Sequence, residues 1–323
     1  MRIQLPTLGF GGAPLGNMFQ AVPEEQAQAT LDAAWQAGIR YYDTSPHYGA
    51  GLSEQRFGKF LGGKPRDEFL LSSKVGRLLQ PADQPENAKP FTHELANRRV
   101  IDYSADGARR SIESSLERLG VDRLDLVFIH DVSADQHGPK WRDYFAEAMQ
   151  GAAVALTRMR EEGMIGGWGL GVNLVEPCRL ALEQADPDVF LLAGRYTLLD
   201  HHEALETLFP ECARRDVGIV VGGPFNSGVL AGGEHFEYDR IPEAVHRKTE
   251  RLRALGEQFG VDIRAAALQF CLAHPVVRAV IPGSATPARP AQYVAQLQAR
   301  IPAAFWQALR EQGMLPEAAP LPG

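Results

Sequence analysis

The run EEQAQATLDAAWQAGIRYYDTSPHYGA, residues 24–50, holds in one piece the unit that decides the fold. Glu24–Ala37 sets Ala27, Leu31, Ala34 and Trp35 on one side of a helix, the spacing of an amphipathic face. Pro23 opens that helix and Gly38 closes it, the usual asymmetry of helix ends. Ile39–Asp43 then reads as a strand, short and without alternation of polar and apolar positions. Strands of that kind are covered on both faces. Thr44–Gly49 follows, with Pro46 and Gly49 marking a tight turn.

The same unit recurs in both directions along the chain. Strands are predicted at Leu8–Gly12, Ile39–Asp43, Phe69–Lys74, Leu124–His130, Gly166–Gly171, Val189–Leu192, Val217–Val221 and Ala279–Pro282. Further helices are predicted at Ser104–Gly120, Tyr144–Glu162, Pro177–Gln184, Glu203–Arg215, Pro242–Phe259, Arg264–Ala273 and Arg289–Ala299. Pro302–Gln312 reads as an extra C-terminal helix packed on the outside. Eight strands alternating with helices are the pattern of a closed (β/α)8 TIM barrel. A doubly wound sheet alternates in the same way, but its first strand leads into GxGxxG. Here Gly9, Gly11 and Gly12 run into Pro14 instead. No linker divides the chain, so residues 1–323 are expected to form a single α/β domain.

Composition excludes several classes. Of 323 residues, 45% are apolar and 23% charged, as in ordinary globular enzymes. Net charge is −7 and the basic residues form no run, so nucleic acid and anionic membrane are not expected partners. Cys178, Cys212 and Cys271 form no CxxC pair, which argues against a zinc cage or a disulfide framework. The opening MRIQLPTLGFGG lacks the apolar core of a signal peptide, and no stretch reaches 18 apolar residues. A cytoplasmic, metal-free protein acting on a small molecule, monomer or homodimer, is the expectation.

Three connections exceed simple turns: Leu79–Tyr103, Asp131–Trp141 and Gly222–Ile241. All three leave the carboxyl ends of strands, the face where barrel active sites lie. At the same face stand Asp43, ending the second strand, Tyr48 just beyond it, Lys74, ending the third, and His130, ending the fourth. Each has an ordinary structural reading. Asp43 suits a turn or cap, Lys74 could reach solvent, His130 could be a hydrogen-bonded core histidine, and Tyr48 could pack in its loop. Together, a carboxylate, a phenol, an ammonium and an imidazole on three consecutive strands suit proton transfer to or from an oxygen. A phenol is a poor acid or base near neutrality, and a nearby ammonium is expected to lower its pKa.

Those four residues, in that order and strand context, resemble the signature of the aldo-keto reductase family over essentially the whole chain. Gly11-Gly12-Ala13, Gly171-Val172-Asn173, Phe225-Asn226-Ser227-Gly228 and Ile281-Pro282-Gly283-Ser284 add to the resemblance. It implies an eight-stranded barrel with a short N-terminal hairpin, a catalytic tetrad of Asp43, Tyr48, Lys74 and His130, and an extended nicotinamide cofactor across the rim. By the same resemblance Asn173 grips the carboxamide, Gly223, Pro224, Phe225, Ser227, Gly228 and Leu230 border the pyrophosphate, and Gly11 is a further cofactor-binding candidate. Gly283, Ser284 and Arg289 fall at the adenosine ribose.

The sequence departs from the family pattern in three places. Ala193 stands where a carboxamide-binding glutamine is common, with Arg195 and Tyr196 nearby; Gly222 replaces a stacking aromatic, leaving Phe225 as a substitute. Gly283 replaces a lysine that meets a 2′-phosphate, so NAD is favoured over NADP, although Arg289 is retained. LGFGGAPLGN, DTSPHYGAGLSE, GLGVN and PFNSGVLAGG are similar to the D-threo-aldose 1-dehydrogenase (L-fucose dehydrogenase) and pyridoxal 4-dehydrogenase branch. That likeness implies oxidation of a lactol hydroxyl to a lactone. Pyridoxal, general aldehydes and a non-catalytic nucleotide-binding redox sensor are the alternatives. His47, Trp141 and Tyr144 are candidates for the substrate pocket.

Overall fold

The computed structural model describes residues 4–323. The first half of the chain runs β1 (Phe10–Gly11), α1 (Glu24–Gln36), β2 (Tyr41–Asp43), α2 (Leu52–Leu61), β3 (Leu70–Val75), β4 (Arg77–Pro81), β5 (Asn97–Ile101), α3 (Ala105–Leu119), β6 (Leu126–His130), α4 (Ala134–His137), α5 (Trp141–Gln150) and α6 (Ala152–Glu161). The second half runs β7 (Gly167–Val172), α7 (Val175–Gln184), β8 (Val189–Ala193), α8 (Phe209–Arg215), β9 (Gly218–Gly222), β10 (His235–Phe236), β11 (Asp239–Arg240), α9 (Glu243–Phe259), α10 (Ile263–Ala273), β12 (Val277–Ile281), α11 (Arg289–Gln298) and α12 (Ala303–Glu311).

Eight strands pair in parallel in the order β1-β2-β3-β6-β7-β8-β9-β12. Bridges Leu8–Val280 and Gly11–Gly283 join the last strand to the first, and the sheet closes into the expected (β/α)8 barrel. Closure leaves the eight-stranded sheet without an exposed edge. The short N-terminal hairpin implied by the family falls on the opening residues, of which 1–3 lie outside the described chain.

The side chains divide by the two-residue period of a strand. Tyr41, Leu126, Phe128, Val189, Leu191, Val220, Ala279 and Ile281 pack together inside the barrel. Their neighbours Tyr42, Val127, Ile129, Phe190 and Val221 face the helical ring and join the larger outer core. Both faces are dry, which is why the strands read as unbroken apolar runs.

Three expectations are corrected. α2 gave no clear periodic signal because Ser53, Glu54 and Arg56 are buried on it. Glu54 binds Ser73 and Arg118, while Arg56 binds Leu15 O, Val22 O, Asn17 and Glu24. The predicted helix Tyr144–Glu162 is two helices that break at Gly151, where ψ is −85°. A β-carbon there would stand 2.8 Å from Tyr103 O, so the close approach of the preceding loop requires the break. The Leu79–Tyr103 connection is not structureless either, since β4 and β5 form an antiparallel hairpin through it. Among the described residues no helix is long and apolar enough to cross a membrane.

Candidate active site

The inward period that builds the barrel core also builds the site. On β2 it runs Tyr41, Asp43; on β3, Ser72, Lys74; on β6, Leu126, Phe128, His130. The register sets Asp43 beside Ser72, Lys74 beside Phe128 and His130 beside Gly171. Asp43, Lys74 and His130 are thus the top inward layer of three adjacent strands. A β-carbon on Gly171 would lie 3.2 Å from Phe128 Cβ and 3.5 Å from Lys74 Cε, so glycine leaves the lysine its channel.

Lys74 Nζ donates to Asp43 Oδ2 at 2.7 Å and to Thr44 O at 2.8 Å. Ser72 Oγ donates to Asp43 Oδ1 at 2.7 Å. The ammonium lies 4.7 Å from the centroid of the Tyr48 ring, within cation–π reach. Burial raises the Asp43 carboxyl above its ordinary value, against the opposing pull of Lys74.

Tyr48 is positioned by its turn. Its amide donates to Ser45 O at 3.1 Å, and a β-carbon on Gly16 would stand 2.5 Å from Tyr48 C, so two backbones touch here and glycine is required. The Tyr48 and His130 rings meet edge to face at 5.8 Å. Burial drives the phenol well above its ordinary value, with Asp43 and Asp131 adding to the rise and Arg77 opposing it. The expected depression by Lys74 is therefore not what prevails in the free chain. In the free chain Tyr48 is thus held as the phenol, the form that gives a proton in reduction; oxidation draws on its ionised form.

His130 is held neutral, since burial first and then Arg77 and Lys74 push its pKa well below the usual range. Its Nδ1 lies 3.1 Å from Ser45 Oγ, which already accepts the His47 amide at 3.0 Å. With the serine hydroxyl donating to Nδ1, Nε2 keeps the ring hydrogen.

Two adjoining cavities open over this layer, of about 370 and 350 Å³, and share Ala13, Met18, Tyr48, Leu191, Ala193, Gly223, Ser227 and Tyr238. Tyr48 stands where they meet. The first holds Lys74, His130, His47 and Asn173. The second is a trough past Asp43, Gly11, Gly223, Pro224, Phe225, Ser227, Gly228, Gly283, Ser284 and Arg289. The candidate residues of distant sequence segments are thus collected into one cleft.

Three candidates fall outside it. Leu230 is buried beneath the loop, its amide donating to Phe225 O at 3.2 Å. Trp141 is 7% exposed and packs on Phe145 in the outer core. Tyr144 stacks on His137, and both meet Tyr103, whose hydroxyl donates to His130 O at 2.7 Å. Tyr196 also turns away, wholly buried against Phe209 and Phe270.

Several residues of the cleft carried no signal in the sequence. Phe91, from the β4–β5 hairpin, packs on His47 and Tyr48 with ring centroids 5.2 and 5.8 Å away. Asp131, Asp135 and Gln136 bring polar groups to the first cavity. Asn173 Nδ2 donates to Asp135 Oδ2 at 3.0 Å, and Arg195 Nε to Asn173 O at 2.6 Å. Arg195 also pairs with Asp200 and with Glu237, beside Tyr238 in the turn between β10 and β11. Phe19, on the trough, stacks on His235 at 3.9 Å with 6° between the rings. Loops from the two lips therefore meet.

A dinucleotide fits this cleft on the chemistry of its walls. Gly223 and Gly228 at positive φ lie beside Asn226 and Ser227, also left-handed, so successive amides turn in one loop against the trough. Asn226 Oδ1 is buried without a partner although Nδ2 donates to Gly194 O. It is an acceptor in the first cavity's wall, suited to an amide donor. Residues 7–313 match the Aldo/keto reductase family. The chain is 41% identical to a D-threo-aldose 1-dehydrogenase of Pseudomonas sp., over 97% of this chain and 96% of that protein. It is 39% identical to a pyridoxal 4-dehydrogenase of Microbacterium luteolum, over 97% and 95%. The holo form of an aldo-keto reductase from Bacillus halodurans superposes with a TM-score of 0.73 at 25% identity, over 94% of this chain and 91% of that one.

Proposed function

The chain belongs to the aldo-keto reductase family and is an oxidoreductase of the kind that uses a nicotinamide cofactor; from that premise we propose that it oxidises the anomeric hydroxyl of an aldose to a lactone. The observation that carries the reading is the place of Tyr48, at the junction of trough and pocket, with Lys74 under its ring and His130 at its edge. The nicotinamide supplies the hydride acceptor when bound. In the oxidative direction Tyr48 Oη, ionised, takes the proton of the reacting hydroxyl, and His130 Nε2–H holds that oxygen in line by a hydrogen bond. Lys74, fixed by Asp43 and Thr44 O, stabilises negative charge as it develops on Tyr48. Phe91 and Met18 give the pocket apolar wall beside the reacting groups.

An aldose is favoured over a plain aldehyde because the pocket is lined by His47, Asp131, Asp135, Gln136 and Asn173, more hydrogen-bonding groups than one carbonyl uses. The likeness to a D-threo-aldose 1-dehydrogenase points the same way, and the likeness to a pyridoxal 4-dehydrogenase supplies the alternative to be excluded. The test is reduced-nicotinamide absorbance with NAD⁺ or NADP⁺ against L-fucose, other aldoses, pyridoxal and simple aldehydes. Turnover with aldoses, yielding a lactone, is expected; turnover with pyridoxal or aldehydes alone would overturn the reading.

NAD is proposed as the preferred cofactor. A β-carbon on Gly283 would lie 2.7 Å from Gly11 O and 2.8 Å from Pro14 Cδ, so this backbone leaves no room for the lysine that would meet a 2′-phosphate. Arg289 is engaged with Gln292 at 3.1 Å, and Arg264 with Asp262. Equal or tighter binding of NADP⁺ in the native protein would refute the preference.

A further inference from the structure

One carboxylate beside the proposed proton-transfer groups has no part in the mechanism above. Asp131 directly follows His130, in a left-handed conformation with φ of 53°. Its amide still donates to Gly171 O at 2.8 Å, continuing the sheet. Reversing the backbone at that point brings its carboxylate back over the barrel mouth, so that Oδ2 lies 3.5 Å from His130 Nε2. A non-glycine residue at positive φ is uncommon, and such conformations gather at functional sites. Arg77, on β4, fixes the carboxylate at 3.0 Å, and Gln136 Oε1 accepts from Arg77 Nη2 at 3.4 Å. Asp131 is 7% exposed and its remaining surface forms part of the cavity wall.

The geometry points to a specificity role: we propose that Asp131, held by Arg77, accepts a hydrogen bond from the hydroxyl on the carbon next to the reacting one. This deepens, and rests on, the aldose reading. With the reacting oxygen hydrogen-bonded to His130 Nε2, an oxygen on the adjoining carbon comes within reach of Asp131 Oδ2, which stands 3.5 Å from that nitrogen. Beyond the donor that Arg77 supplies, the side of the carboxylate that lines the cavity can accept a second one. A vicinal diol supplies one, whereas a 2-deoxy sugar does not. In pyridoxal the carbon next to the aldehyde carbon is a ring carbon that carries no hydroxyl. A site built around a buried hydrogen-bonding group rejects ligands that leave it unpaired.

The test compares kcat/KM for an aldose and for its 2-deoxy counterpart of the same configuration, in the native protein and in Asp131→Gly and Asp131→Ala. The native protein is expected to favour the aldose by about 10- to 100-fold, the range for a hydrogen bond to a charged group. In both variants that ratio is expected to fall to within a few-fold of one. Equal use of the two sugars by the native protein overturns the role of Asp131 alone, and needs no variant to fold. Retention of the native ratio in either folded variant also overturns it. Turnover of pyridoxal or aldehydes with none of any aldose overturns the substrate reading and this inference with it.

Discussion

Asp43 and Lys74 form an ion pair at 2.7 Å whose side chains are only 3% and 1% exposed. Removing one member of a buried pair strands the other charge, at a cost of about 3–5 kcal/mol. Lys74→Met is therefore expected to lower stability by about that amount in urea unfolding. The double variant Lys74→Met/Asp43→Leu should lose less than the sum of the two single changes. Additive losses would show that the pair is not a unit.

Tyr48 is expected to carry the proton. Tyr48→Phe keeps the ring against Phe91 and Lys74 and deletes the hydroxyl. Loss of an acid–base group costs roughly 10²–10⁴-fold in rate, so kcat should fall on that scale while NAD⁺ affinity, followed by protein fluorescence, stays within about two-fold. Turnover near the native rate would remove Tyr48 from the role.

Stability should fall as pH drops below the ordinary histidine range. His201 is wholly shielded, and burial holds its pKa at about 4 despite the hydrogen bond to Thr197 O. His130 and His47 are also depressed by burial. The unfolded chain takes up protons below about pH 6.5 while these native side chains do not. Unfolding free energy therefore declines as pH falls from about 6.5 toward 4, by up to about 1.4 kcal/mol per unit for each such histidine. His201→Phe should flatten the slope whatever it does to stability at pH 7. An unchanged slope would contradict the assignment.

Gly169 is required by the sheet itself. A β-carbon there would stand 1.6 Å from Val189 O, so Gly169→Ala must push β7 from β8. Loss of soluble folded protein, or a large drop in melting temperature, is expected. Wild-type stability would mean that the strands yield more easily than this packing implies.

The stacked pair Phe19–His235 joins loops from the two lips of the trough. Phe19→Ala should speed dissociation of NADH, measured by stopped-flow fluorescence, with little change in the association rate. Identical dissociation rates would show that the contact does not restrain the cleft.

The alternation of short buried runs with amphipathic helices was enough to specify the barrel, because the strand and helix periods are written in the order of the residues. The same two-residue period predicted that Asp43, Lys74 and His130 share one rim, since each ends a strand whose inward positions repeat every second residue. Tyr48 could be read from its turn, where Pro46 and Gly49 leave few conformations. Trp141 and Tyr144 could not be placed that way. Whether a residue after a strand faces the cleft or the helical ring depends on the path of the loop, and Gly151 meeting Tyr103 O sets that path between segments far apart in the chain. Arg77 and Asp131 are likewise separated in sequence, and only strand pairing around the barrel brings them to 3.0 Å. Local order carries the periodicity of the elements; side chains that meet through closure of the sheet acquire their partners, and with them their chemistry, only in the folded chain.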